Sequence, residues 1–265
     1  MRSRGVVAGV LLLLPASAFA EDRDYCPARP GLGTPACTIA PGHVSIETAL
    51  GDWTIDNDAD QREDTILIGD TLVRVGVTDS LELQAGWTPF GHDRTRDKAN
   101  GAIDSANRIG DATLGLKANL QHPDGKGLSI AVQPYVTVPV GKRPIGAGDW
   151  GGGVLMPVTY DLTGSLNLAF TPEIDAAVDA DGKGRHLAYS GTIGLGVALT
   201  KSLTATLEFQ ALRDRDPSGH TAQALLGLSL GWMAKDDLQF DIGCNAGLDH
   251  DAPDAELYAG ISRRF

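Results

Sequence analysis

The sequence predicts an all-β fold: a transmembrane antiparallel up-and-down β-barrel of about 12 strands, with short periplasmic turns and longer outer loops. Three observations predict it. Apolar residues alternate with small or polar ones in segment after segment. The connections between segments alternate between tight and long. The chain opens on an export-type segment and closes on a strand ending at Phe265.

The alternation is explicit. Ala112, Leu114, Leu116, Ala118 and Leu120 share one parity, and Thr113, Gly115, Lys117 and Asn119 the other. Leu187, Tyr189, Ile193, Leu195, Val197 and Leu199 alternate with Ala188, Ser190, Thr192, Gly194, Gly196 and Ala198. Ala222, Ala224, Leu226, Leu228, Leu230 and Trp232 repeat the pattern. A period of two marks strands, because successive side chains point to opposite faces. Composition alone (42% hydrophobic, 33 Gly in 265 residues) fits a soluble β protein equally well. Parity decides: the apolar face carries almost no charge, while the other is Gly, Ser and Thr with scattered charges. Such residues pack poorly as a core but suit a hydrated lumen, with the apolar face toward lipid.

In chain order, residues 1–20 read as a cleaved signal peptide. Arg2 and Arg4 precede the apolar run Gly5 to Leu14, and Ala18-Phe19-Ala20 fits a small-x-small cleavage site. That run is too short for a spanning helix, which needs about 20 residues. Loss of Arg2 and Arg4 leaves 20 bases against 34 acids, a balance that disfavours nucleic acid, whose phosphates need clustered Lys and Arg. Residues 21–42 form a periplasmic leader rich in Pro and Gly, with an inward-folded plug as the alternative. Cys26 and Cys37 are close enough in sequence to be bonded in an oxidising compartment, with two free thiols as the alternative.

The barrel covers 43–265, with strands near 43–55, 63–77, 81–90, 109–121, 128–140, 152–162, 165–177, 186–199, 203–213, 221–233, 238–248 and 255–265. Five turns are tight, among them Thr78-Asp79-Ser80 and Thr200-Lys201-Ser202, and Gly91 to Arg108 reads as the longest outer loop. Trp87 falls near an outer strand end, and Tyr160, Trp232, Phe240 and Phe265 near periplasmic ends, where aromatic girdles sit.

Two resemblances follow. The segment Leu257 to Phe265 looks like the terminal strand of outer-membrane proteins, in which a final Phe is the signal read by the barrel-assembly machinery. Leu257, Ala259, Ile261 and Phe265 fit, and Arg263 departs from the pattern. The mature chain resembles the family described as the putative MetA-pathway of phenol degradation, on the stretch from Cys26-Pro27-Ala28-Arg29 to Pro35-Ala36-Cys37, on Gly51-Asp52-Trp53 and on the strand pattern to Phe265. That resemblance implies passage of small, aromatic or hydrophobic molecules through the outer membrane, and transfers no binding residues.

Parity assigns inward-facing candidates: the acids Glu47, Asp70, Glu82, Asp161, Glu173, Asp175, Glu208, Asp241 and Glu256, and the bases Arg74, Lys117 and Arg264. An open channel lined this way favours cations; pairing across the lumen would instead block it. No catalytic residue, metal or cofactor is expected. Gly146 to Gly151 matches GxGxxG but precedes no helix. Asp179 to Gly184 has the start of a calcium loop, but Lys183 replaces a ligand and the distal Glu is missing. Ser218-Gly219-His220 lacks an assignable third partner. The functions in play are a channel or transporter, a structural or adhesive barrel acting through its loops, and an outer-membrane hydrolase. Partners are outer-membrane lipid, lipopolysaccharide (through His92, Arg94, Arg96 and Lys98), the assembly machinery and a small solute.

Overall fold

The computed structural model describes residues 23–265, so the export segment expected over residues 1–20 lies outside the described residues. Sixteen strands build the wall. They are β1 (Val44–Asn57), β2 (Gln61–Ile68), β3 (Thr71–Thr78), β4 (Leu81–Trp87), β5 (Phe90–Asp97), β6 (Ile103–Arg108), β7 (Ala112–Gln121) and β8 (Leu128–Val138). The second half comprises β9 (Gly151–Leu155), β10 (Val158–Asp161), β11 (Leu166–Val178), β12 (Arg185–Ala198), β13 (Leu203–Asp216), β14 (Gly219–Lys235), β15 (Leu238–Gly247) and β16 (Ala255–Arg264).

Four of the barrel's strands are each interrupted, two of them within the expected segments 63–77 and 152–162, so the sixteen pieces make a closed antiparallel barrel of twelve strands. β2 and β3 part at Gly69-Asp70, where Gly69 takes φ 75°, a left-handed conformation that a side chain disfavours. β4 and β5 part at Thr88-Pro89, and β9 and β10 at Met156-Pro157; proline has no N–H for the ladder. β6 and β7 part at Ile109–Asp111.

The barrel closes by pairing β1 with β16, from Ser45 opposite Arg264 to Ile55 opposite Ala255. The closing ladder ends on reciprocal bonds, Phe265 N to Val44 O at 2.7 Å and Val44 N to Phe265 O at 3.1 Å.

The inside and outside are the reverse of a soluble protein. Arg74, Lys117, Glu47 and Glu82 are fully buried, while Leu83, Leu114, Ile193, Leu228 and Ile242 are about half exposed on the outer face. An apolar surface of this extent belongs in lipid, so this is an outer-membrane β-barrel. Trp87, Tyr160, Trp232, Phe240 and Phe265 all point outward, and Trp232 stacks on Phe240 across β14 and β15. Arg263, the misfit in the terminal pattern, lies over the Phe265 ring, 4.9 Å from its centroid.

One expectation is corrected. Gly91 to Arg108 is not a loop but most of the β5–β6 hairpin, paired from Gly91 opposite Arg108 to Arg96 opposite Ile103. Polar or charged residues occupy both parities of these strands, His92, Arg94 and Arg96 against Asp93, Thr95 and Asp97, so the alternation that reveals spanning strands is absent from them.

Candidate functional site

The leader, described from Arg23 onward, runs inside the barrel. A disulfide joins Cys26 and Cys37, with Cα atoms 6.5 Å apart, and turns the segment between them into a compact loop. Inward side chains from strands all around the wall hold it by its backbone. Glu47 accepts the N–H groups of Ala28 (2.7 Å) and Arg29 (3.0 Å). Glu208, on the opposite wall, accepts those of Leu32 (2.7 Å) and Gly33 (2.9 Å). Glu82 accepts Ile39 N at 2.7 Å. Lys117 and Asn119 donate to the carbonyls of Pro35 and Ala36, and Arg264 donates to Arg23 O. Gly31, at φ 118°, turns the loop against Glu208, and Gly76 lets the Ile39 and Ala40 carbonyls approach the wall where a Cβ would collide.

The firmest part is a row of ions on adjacent strands. Arg74 on β3 lies between Glu47 on β1 (3.0 Å) and Glu82 on β4 (2.9 Å), with no exposure of any of the three side chains. Lys117 on β7 is 3.8 Å from Glu82. Burying ions is costly unless each is paired and hydrogen-bonded, and Arg74 meets that condition. Its remaining donors reach the carbonyls of Cys26 (2.8 Å) and Cys37 (3.4 Å), so one guanidinium grips both ends of the disulfide loop. Asp241 is taken by Arg29 of the leader at 2.9 Å.

The other acids divide by level. Asp161 sits at the periplasmic mouth, accepting from Gly127 N and Asn167. Toward the outer side, Asp70 accepts from Thr88, Glu256 from Asn245, and Glu173 from the Tyr135 hydroxyl at 2.8 Å, which also contacts Asp175. Asp52 joins this outer group, facing the same cavity as Asp70 and Glu256. Parity had missed Asp52 because β1 bulges between Ala49 and Gly51. The bulge moves the inward set from Ser45 and Glu47 to Asp52. Gly51, inside a strand pattern, was the available signal.

Cavities flank the leader loop. One of about 450 Å³ opens on the periplasmic side, lined by Tyr25, Pro30, Asp161 and Thr206 among others. One of about 280 Å³ lies on the far side, against Asp52, Glu256 and Tyr258. Both touch Ala28, Arg29, Gly33 and Thr34, so this short loop is the partition between them. A third cavity of about 370 Å³, beside Tyr135 and Glu173, reaches Thr71, Gly86, Trp87 and Thr113 in the wall. The same four residues border an apolar hollow on the lipid face, lined by Val73, Ala85, Pro89 and Leu114. Inner and outer cavities thus lie back to back across these wall residues, beside the strand breaks at Gly69 and Pro89.

The Ser218 hydroxyl donates to Asp216 rather than to an imidazole. Gly146 to Gly151 forms a loop leading into β9 with no helix after it, so it has no phosphate-binding N-terminus.

The family model of the putative MetA-pathway of phenol degradation matches residues 28–265. The chain belongs to this family. No curated protein sequence matches it significantly. Among solved structures, this phenol-degradation family member is similar to the COG4313 outer membrane channel from Pseudomonas putida F1, with TM-score 0.70, 12% identity and coverage of 94% of this chain and 100% of that one. It is also similar to the transport unit of the autotransporter AIDA-I from Escherichia coli (TM-score 0.54, 8% identity, 84% and 90% covered). The KdgM porin gives a TM-score of 0.52 at 10% identity, with 83% and 99% covered. At these identities the likeness concerns the fold.

Proposed function

We propose that this barrel is an outer-membrane channel for small apolar or aromatic solutes, with its leader as the gate. The observation that carries it is the partition: two cavities lie on opposite faces of Ala28 to Thr34, a loop held noncovalently, by hydrogen bonds to Glu47 and Glu208 and by the Arg29–Asp241 ion pair. Bonds of that kind are worth about 1.5–3 kcal/mol each when the acceptor is charged, so the loop is displaceable while the wall is not. The family name supports the aromatic class. The hollow at the strand breaks gives an apolar solute a way in from the lipid side.

The lumen's bases are occupied: Arg74 and Lys117 by Glu47, Glu82 and the leader. The acids Asp52, Asp70, Glu173 and Glu256 face the outer cavities, so ions that pass are expected to be cations. Reconstituted protein lacking residues 23–41 should conduct more than the full chain, with a cation preference that weakens in Glu173→Gln. Liposomes carrying the full chain should take up phenol faster than empty ones. Equal uptake, and no conductance without the leader, would leave a barrel acting through its loops.

We further assign the outer face of the β2–β5 pair to lipopolysaccharide phosphates. His92, Arg94 and Arg96 share that face, Arg96 directly opposite Arg62, just above exposed Trp53, Ile68 and Phe90. Asp64 on the same face pairs with Arg62 at 2.8 Å and stands 4.0 Å from Arg94, so a phosphate adds to a partly neutralised row of bases. Arg62→Gln with Arg96→Gln should weaken binding of phosphorylated but not dephosphorylated lipopolysaccharide; equal loss for both sinks the assignment. Phe265, exposed at the periplasmic rim, is proposed as the contact for the assembly machinery.

A further inference from the structure

We propose that Asp179, His186 and Asp216 form a divalent metal site at the outer mouth, suited to a transition ion such as Zn²⁺, with Asp214 positioning the imidazole. The three come from neighbouring elements. Asp179 follows the end of β11, His186 is the second residue of β12, and Asp214 and Asp216 end β13. Their ligand atoms lie within 4.8 Å of one another. His186 Nδ1 is 2.9 Å from Asp179 Oδ1 and 3.4 Å from Asp216 Oδ2, and its Nε2 is 2.9 Å from Asp214. The imidazole is 6% exposed.

The bonding pattern points to a cation. With Nε2 donating to Asp214, a neutral imidazole turns its Nδ1 lone pair toward Asp179 and Asp216, and a metal ion in place of a second ring proton satisfies all three of these acceptors. A carboxylate on the far nitrogen of a ligating histidine is the usual device for orienting it. Asp216 is fixed as well, with Oδ1 accepting Ser218 N at 2.7 Å and Oδ2 accepting Ala180 N at 2.6 Å. Nearby cations are spent elsewhere: Arg143 on the Asp179 and Ala180 carbonyls, Arg185 on Asp149 at 3.0 Å.

Ligands about 2.0–2.2 Å from a tetrahedral zinc stand about 3.4 Å apart, so the observed separations need only small side-chain shifts. One nitrogen with two carboxylates favours zinc or manganese over calcium, which takes oxygen ligands. Asp179 thus does bind in this proposal, but through residues that folding brings to it rather than through the loop motif it begins.

The test uses refolded full-length protein stripped with a chelator. Titration calorimetry should show one equivalent of Zn²⁺ bound, Co²⁺ should develop visible d–d absorption, and equimolar Ca²⁺ should do neither. His186→Gln and Asp216→Asn should weaken Zn²⁺ binding at least tenfold, and Asp181→Asn, in the same loop, should leave it unchanged. Should a variant fail to fold, nitrogen NMR of the unsubstituted protein decides. Loss of the Nδ1 lone pair to zinc supports the site. An imidazole protonated on both nitrogens under saturating Zn²⁺, or equal binding by His186→Gln, overturns it.

Discussion

Arg74 shows what one residue contributes when it is wholly inside. Its guanidinium joins Glu47, Glu82 and the carbonyls of both half-cystines, a planar fork of donors that lysine lacks. Arg74→Ala leaves buried Glu47 without its ion-pair partner and Glu82 with Lys117 alone, at a cost of about 3–5 kcal/mol, and releases the leader. Heat unfolding should come earlier and single-channel conductance should rise. Unchanged values for both would mean that the leader is held elsewhere. Parity identified Arg74 and Glu82 as inward, but not as partners. Their pairing follows from the β3–β4 register, in which Arg74 faces Gln84 and Gly76 faces Glu82, and so depends on the turn at Thr78 rather than on either residue. Neutralising Glu82 would therefore disturb the leader, whereas Glu173, away from it, reports on selectivity.

The leader is the element whose role depends most on folding. Alone it has no strand period and too few apolar residues to order itself. Inside the wall it is fixed by acceptors on β1, β4 and β13 and donors on β7. The Cys26–Cys37 bond removes loop-closure entropy from the released leader, worth about 3 kcal/mol for a loop of this length. Reduction, or Cys26→Ser with Cys37→Ser, should raise channel opening in planar bilayers several-fold without changing the barrel's strand content by circular dichroism. If opening is unaffected, the wall contacts alone hold the loop. The broken strands were partly visible beforehand: Pro89, Pro157 and Gly69 are breakers in the sequence. Whether a breaker ends a strand or merely splits it depends on the neighbours that continue the ladder.

At the scale of the whole molecule, the outer surface and the closure do different jobs. Lipid takes up the apolar face, and the β1–β16 ladder removes the free edges that would otherwise expose unpaired backbone. Phe265 contributes its N–H and C=O to that ladder, while its ring stands 60% exposed at the rim. Phe265→Ala keeps the backbone bonds, so the unfolding midpoint of refolded protein should stay near that of the parent, while assembled barrel in cells falls several-fold. Equal assembly would sever the ring from any recognition role.

The sequence by itself determined the strand number, the inward and outward faces and the membrane as solvent, because side-chain alternation is local and repeats in each spanning segment. Only the tertiary structure decided where the leader lies, that Asp52 turns inward past a bulge, that Arg74 joins Glu47 to Glu82, and that Asp179 meets His186 and Asp216. Each of these depends on register and closure between residues far apart in the chain, and a period of two carries no information about either.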